Sequence, residues 1–163
     1  MKVLATDQAT RVSGYSLFDD NKYVCSGIID MSKSELDTDE RSFEMAKEIW
    51  KIINKYKPDA LVIENVQKQT STSTVIILAR LQGEIIGYAE AHGVTTYIVS
   101  PAQWRSALSF RQGPKVKRKE LKQQSIDYVK KNYGIDLQED ECEAICIGTA
   151  AHKIFNFPDE DIW

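Results

Sequence analysis

KVLATDQATRVSGYSLFDD, residues 2–20, joins two apolar runs across a short polar segment that contains an acid. Val3, Leu4 and Ala5 predict a buried strand, and Asp7 follows at its end. A carboxylate at the end of a buried strand loses hydration, so its charge must be compensated. Two interpretations fit this position: Asp7 caps a turn, or Asp7 holds a cation.

The pattern around this stretch predicts the architecture. Three strands joined by short turns indicate an antiparallel meander, and the alternation of helices and strands that follows favours a mixed sheet. We therefore predict an α/β fold in one domain over residues 1–163, with a mixed five-stranded sheet (a three-stranded antiparallel meander plus two parallel strands) flanked by helices. The predicted strands are 2–6, 12–18, 22–29, 60–63 and 95–99, and the predicted helices are 39–56, 74–92, a short one starting at Pro101 with Ser100 as its cap, 117–132 and 139–155.

The first of these helices has a clear apolar periodicity. Apolar side chains recur at i, i+3 and i+4, which is typical of a helix that packs one face on a core. The residues predicted on this face are Phe43, Ala46, Ile49, Trp50, Ile53 and Tyr56.

Charge is distributed unevenly along the chain. The net charge is −3, which by itself argues against a nucleic-acid partner, but residues 101–135 carry nine basic and two acidic side chains. This asymmetry favours a basic face for an anionic partner, although a solvated helix of mixed polarity is the alternative. No stretch is apolar enough to predict a membrane span, and three cysteines without a secretion signal predict a reducing, cytoplasmic setting.

Three more acids lie at positions where they could bind a metal or take part in catalysis. Glu64 ends the buried strand ALVIE, and Asp140 and Glu143 are spaced so that both project from one face of a helix. Each acid alone has an ordinary explanation, as a turn residue, a strand end or a helix start. Four carboxylates converging without a counter-charge would repel one another, and a pair of divalent cations would remove that repulsion. Oxygen ligands with few histidines favour Mg²⁺ over zinc.

The chain resembles the RuvC-type Holliday junction resolvases of the ribonuclease H-like superfamily. The resemblance rests on LATDQATRVSGYSLF, PDALVIENVQ, LARLQGEIIGYAEAHGV, VSPAQWRSAL and DECEAICIGTAAH. It implies a ribonuclease H-like fold and a homodimer that binds four-way DNA junctions and nicks two strands with Mg²⁺, two ions per site, with Mn²⁺ as a substitute. It also implies that the four metal-binding, catalytic positions are Asp7, Glu64, Asp140 and Glu143.

This chain departs from the usual family pattern in three places. Gln8 and Ala9 replace the common Pro-Gly after the first acid, Gln67 stands where many members have an aromatic residue, and the last acid is Glu143 rather than Asp. These features resemble the phage-borne branch of the family, which implies activity on a wider range of branched DNA, in a bacterial or phage-infected cell.

The basic segment is then expected to bind DNA. One lysine is expected to stabilise the transition state, and Lys119 and Lys122 are the favoured candidates. Two other functions stay open: a ribonuclease H-like nuclease on RNA–DNA hybrids, and a junction-binding protein without catalysis. The predicted DNA-binding residues are Lys68 in the polar loop 67–74, Arg111, Lys115, Lys117, Arg118, Lys119 and Lys122.

Overall fold

Five strands form one mixed sheet in the computed structural model, which describes residues 1–68 and 70–157. They are β1 (Lys2–Asp7), β2 (Val12–Asp19), β3 (Lys22–Asp30), β4 (Ala60–Glu64) and β5 (Thr95–Val99). Their spatial order is β3-β2-β1-β4-β5, with antiparallel pairs in the meander and parallel pairs between β1, β4 and β5. The predicted mixed sheet is confirmed. Gln69 in the predicted polar loop and residues 158–163 at the predicted domain end lie outside the described residues.

Helices cover both faces of this sheet. They are α1 (Thr38–Tyr56), α2 (Thr72–Ala91), α3 (Pro101–Ala107), α4 (Arg118–Tyr133) and α5 (Glu139–Ile154). Side chains alternate between the two faces of a strand, so Leu4 packs in the core beneath α1 and α2, while Val3 and Ala5 pack in the core with the other three helices. On the face that carries Val3 and Ala5, α5 contacts β1 and β2 directly.

The start of α3 follows the signals in its sequence. Ser100 accepts a hydrogen bond from the backbone N–H of Gln103, and the Gln103 side chain accepts one from the backbone N–H of Ser100, which is a capping box. Pro101 occupies the first helical position, where no N–H is needed. Since Ser100 directly follows β5, this cap fixes α3 beside the carboxyl ends of the parallel strands.

The predicted apolar face of α1 is wrong at one residue. Phe43 is 47% exposed, whereas Met45 is buried together with Ala46 and Ile49. Successive residues turn by roughly 100° around a helix, and Phe43 points away from the centre of the stripe that packs on the sheet. An i, i+3 match therefore placed Phe43 at the edge of the apolar face, where the sheet does not cover it.

The register of the sheet brings two of the predicted acids together. Thr6 pairs with Ile63 in the parallel ladder between β1 and β4, so the next residues, Asp7 and Glu64, end neighbouring strands at the same edge. Topological switch points at such strand ends are where α/β sheets usually carry ligands. Asp7 and Glu64 can meet only if β1 and β4 are neighbours, and the strand order shows that they are.

A glycine lets α5 approach this edge. Gly14 pairs with Asp7 across the meander, and a Cβ atom at Gly14 would lie 2.0 Å from the carbonyl oxygen of Asp140. Only a residue without a side chain fits there. The first turn of α5 is thereby laid directly across β2, beside the end of β1.

Candidate active site

Three carboxylates converge where β1 ends and α5 begins. One carboxylate oxygen each from Asp7, Asp140 and Glu143 lies within 4.8 Å of the others. Asp7 and Asp140 are partly buried, and Glu143 is buried. Asp140 and Glu143 are one turn apart on α5, which points both side chains at the end of β1.

The ionised form of this cluster is unfavourable, because its carboxylates are buried or partly buried and repel one another. Burial raises the pKa of Asp7 well above its ordinary value, and the negative charges of Glu143 and Glu64 raise it further. Burial also raises the pKa values of Asp140 and Glu143. Acids in this condition hold protons or take up a cation. A compact set of carboxylate oxygens suits a hard cation such as Mg²⁺, so the residues present fit the metal that the sequence predicted.

Glu64 lines the same cavity but is held separately. Its Oε2 accepts a hydrogen bond of 2.6 Å from Nε1 of Trp104. Its backbone carbonyl accepts bonds from the side-chain amides of Gln8, at 2.6 Å, and Gln82, at 2.9 Å. Burial raises the pKa of Glu64 to about 7, although the Trp104 bond lowers it. Glu64 is therefore fixed at both its backbone and its side chain.

The four acids open into one cavity of about 450 Å³. Its walls come from the ends of β1 and β4 and from four helices, so acidic, basic and amide side chains face a common space. The lining residues are Asp7, Gln8, Ala9, Glu64, Asn65, Val66, Gln67, Thr74, Leu78, Pro101, Arg105, Arg118, Leu121, Lys122, Asp140 and Glu143.

Basic side chains from α3 and α4 also line the cavity. Arg118 and Lys122, one turn apart on α4, both line it, and Lys122 donates a hydrogen bond to Glu139. Arg105 on α3 lies 3.6 Å from a carboxylate oxygen of Glu143. These cations lower the pKa values of the acids they face, which offsets part of the cost of burial.

Only two of the seven predicted DNA-binding residues line this cavity. Arg118 and Lys122 do so, whereas the remaining five are solvent-exposed and lie outside its walls. A contact with DNA beyond the cavity stays a prediction for these five: Lys68, Arg111, Lys115, Lys117 and Lys119.

Sequence reasoning missed four residues that shape the site. Gln8 and Gln82 hold the Glu64 backbone, Trp104 holds its side chain, and Arg105 pairs with Glu143. Arg105 is one of the nine basic side chains of residues 101–135, and no spacing sets it apart from the others. The segment PAQWRSAL predicted a short helix, but no spacing rule links a tryptophan there with an acid forty residues earlier.

Comparison with known proteins gives one consistent result. A family model described as crossover junction endodeoxyribonuclease RuvC matches residues 3–126, a span that includes Asp7 and Glu64 and ends before α5. A protein of that description from Syntrophomonas wolfei is 30% identical over 112 residues, covering 66% of this chain and 64% of the relative. One from Fusobacterium nucleatum is 34% identical over 107 residues, covering 63% and 56%. The chain thus matches less than two thirds of the length of either relative.

Solved structures agree with the fold. The structure described as Thermus thermophilus RuvC in complex with Holliday junction substrate has a TM-score of 0.71 at 14% identity, covering 94% of this chain and 96% of that one. The yeast mitochondrial Holliday junction resolvase Ydc2 has a TM-score of 0.56 at 15% identity, covering 91% and 76%. Among the described residues of this chain, none of the helices has the length and apolarity needed to cross a membrane.

Proposed function

Because the chain belongs to the family of crossover junction endodeoxyribonuclease RuvC, we propose that it is a metal-dependent endonuclease that nicks four-way DNA junctions. One observation carries the proposal most directly: Asp7, Asp140 and Glu143 converge within 4.8 Å, and Glu64 opens into the same cavity. Such a cluster is costly to bury unless a cation is bound to it. The family membership indicates the class of reaction, and the four acids would bind the metal that this reaction needs.

Mg²⁺ is the proposed cofactor, with two ions per site and Mn²⁺ as a substitute. The proposed ligands are Asp7, Glu64, Asp140 and Glu143. Bound Mg²⁺ supplies a nucleophilic water and stabilises the leaving oxygen of a phosphodiester. The chain itself contributes oxygen donors on two strands and one helix, and three of the four acids already lie within 4.8 Å of one another.

The proposed substrate contacts follow from the cations around the cavity. Arg118 and Lys122 stand where a phosphate entering the cavity would meet them, since both line its wall. Lys122 is the better candidate for stabilising transition-state charge than Lys119, because Lys119 lies outside that wall. The remaining predicted residues would extend the phosphate contact along a DNA arm; they are Lys68, Arg111, Lys115, Lys117 and Lys119.

We also propose a homodimer, since symmetric nicking of a four-way junction requires two sites. The α2 helix supports this with an exposed face that bears Ile76, Gly83 and Gly87, and a Cβ atom at either glycine would meet no atom of the described residues within 4 Å. Small residues on a helix face let another backbone approach closely. Light scattering should give twice the chain mass of 18.5 kDa for the wild-type protein and a lower mass for Gly87→Arg.

A substrate panel tests the proposed function. At one salt concentration with Mg²⁺, the protein is incubated with a four-way junction, a replication fork, a flap, a linear duplex and an RNA–DNA hybrid. Asp7→Asn is the inactive variant, and Asp39→Asn, an exposed acid on α1 paired with Arg80, is the matched control. Paired nicks on the junction, made by Asp39→Asn and absent in Asp7→Asn, are the expected result.

Other outcomes of the panel point to other functions. Equal cutting of forks and flaps would indicate the broader branched-DNA activity that the phage-like departures predict. Cutting of the hybrid alone would indicate a ribonuclease H-like enzyme, and tight junction binding without cutting would indicate a silent binding protein. We place the protein in the cytoplasm of a bacterial or phage-infected cell, a proposal that its three free cysteines support.

A further inference from the structure

A buried tryptophan contacts one acid of the cavity. Trp104 is fully buried, and its Nε1–H donates to Oε2 of Glu64 at 2.6 Å. An indole nitrogen is a donor only, so this bond has one possible direction. Because Trp104 is fully buried, breaking the bond would leave a buried donor without a partner, which is a costly state.

The backbone of Glu64 is held as firmly as its side chain. Gln8 and Gln82 both donate to its carbonyl oxygen, one from the residue after β1 and one from the interior of α2. With the carbonyl and one carboxylate oxygen both engaged, rotation of the side chain is restricted. Oε1 is then the oxygen available to a cation in the cavity.

We propose that Trp104 is a positioning residue, which fixes the Glu64 carboxylate so that Oε1 is presented to a bound cation. This inference rests on the proposed metal-dependent function and adds to it the residue that orders one ligand before the cation arrives. Hydrogen-bond partners of metal ligands commonly set affinity in this way. No spacing rule predicts such a partner, since α2 and β5 lie between Glu64 and Trp104 in the chain.

The neighbouring residue extends the same arrangement to α5. The guanidinium of Arg105 lies 4.8 Å from the centre of the Trp104 ring and 3.6 Å from a carboxylate oxygen of Glu143. The short helix α3 therefore contacts two of the four acids through consecutive side chains. Replacing Trp104 by Phe keeps an aromatic face for Arg105 and removes the N–H, which separates the two contacts.

The test measures Mn²⁺ binding by calorimetry at pH 8, without DNA, for the wild type, Trp104→Phe and Trp50→Phe. Trp50 is a matched control, because its buried Nε1 has no hydrogen-bond partner within the described part of the chain and its ring packs on the opposite face of the sheet. We expect Trp104→Phe to lower the affinity about 10- to 100-fold and Trp50→Phe to leave it unchanged. Wild-type affinity in Trp104→Phe would overturn the positioning role and leave the metal site intact.

A spectroscopic readout keeps the proposal testable where Trp104→Phe does not fold. At pH 8, the indole N–H resonance of Trp104 in the ¹⁵N-labelled wild-type protein should lie downfield, since its acceptor is then charged. Glu64→Gln should shift it upfield, and saturation with Mg²⁺ should leave it downfield. The proposal would be overturned if the chemical shift of this resonance stayed the same in Glu64→Gln, or if the resonance moved upfield when Mg²⁺ binds. A wild-type protein that binds neither metal would overturn the proposed function as well, so the two failures are distinguishable.

Discussion

Neutralising Glu64 should stabilise the metal-free protein, and the gain should grow with pH. Burial raises the pKa of Glu64 from 4.5 to about 7 in the folded protein. Between these two values the folded state keeps a proton that the unfolded state has released, so the free energy of unfolding falls as pH rises through this window. Glu64→Gln removes this loss, because its amide is neutral at every pH.

The magnitude follows from the two pKa values. Linkage gives a gain for Glu64→Gln of about 1 kcal/mol at pH 5 and about 3 kcal/mol at pH 8, where the carboxylate is ionised in both states. For a chain of this length, about 3 kcal/mol corresponds to a rise in melting temperature of roughly 6 to 12 °C. With Mg²⁺ bound, the wild type should instead be more stable than Glu64→Gln, since only the wild type keeps all four acids.

Thermal and urea unfolding in EDTA at pH 5, 6, 7 and 8 would measure this gain. The matched control is Glu90→Gln, because hydrogen bonds from Thr96 lower the pKa of Glu90. Loss of that carboxylate should destabilise the protein slightly at neutral pH and have no effect below the pKa, which is the opposite sign. A gain for Glu64→Gln that is the same at pH 5 and pH 8 would refute the argument that burial raises the pKa of Glu64.

Three further changes test the geometry of the site. Gly14→Ala should displace the first turn of α5, because its Cβ would overlap the backbone carbonyl of Asp140. We expect a lower melting temperature and at least tenfold weaker Mn²⁺ binding by calorimetry. Unchanged Mn²⁺ binding would contradict the close packing of α5 on β2. Arg105→Met should raise the pKa of Glu143 further, since the guanidinium lowers it; half-maximal Mn²⁺ binding should therefore move to higher pH, whereas Arg105→Lys should keep most of the wild-type profile. Arg118→Ala combined with Lys122→Ala should reduce the slope of log K against log salt for junction binding by about 2, and an unchanged slope would leave these side chains without a phosphate contact.

Much of the fold was predictable because its signals are local. The meander follows from apolar runs joined by turns, and α3 follows from Ser100 and Pro101 in sequence. Phe43 shows the limit of such signals: periodicity identified the helix, but the sheet decides which edge of its apolar face is covered. Asp7 and Glu64 stood out as acids at the ends of buried strands.

The remaining parts of the site depend on tertiary contacts. From the sequence alone, Gly14 is an ordinary glycine in a strand. The structure shows that α5 packs across β2 at this point, and the lack of a side chain at Gly14 lets Asp140 reach the site. The sequence suggests that Trp104 is a core residue. It is indeed buried, but the polar atom of its side chain, Nε1, donates a hydrogen bond to Glu64. A hydrogen bond between residues on separate elements leaves no periodic trace in the sequence.

The central claim is that the converging acids form a metal-dependent centre that cuts a four-way junction. Its most direct test is single-turnover cleavage of a labelled junction as Mg²⁺ is titrated, with junction binding measured in parallel for the wild type and Asp7→Asn. We predict that cleavage requires Mg²⁺ and is lost in Asp7→Asn, while that variant binds the junction as well as the wild type. Cleavage in EDTA, or cleavage by Asp7→Asn at the wild-type rate, would contradict the account.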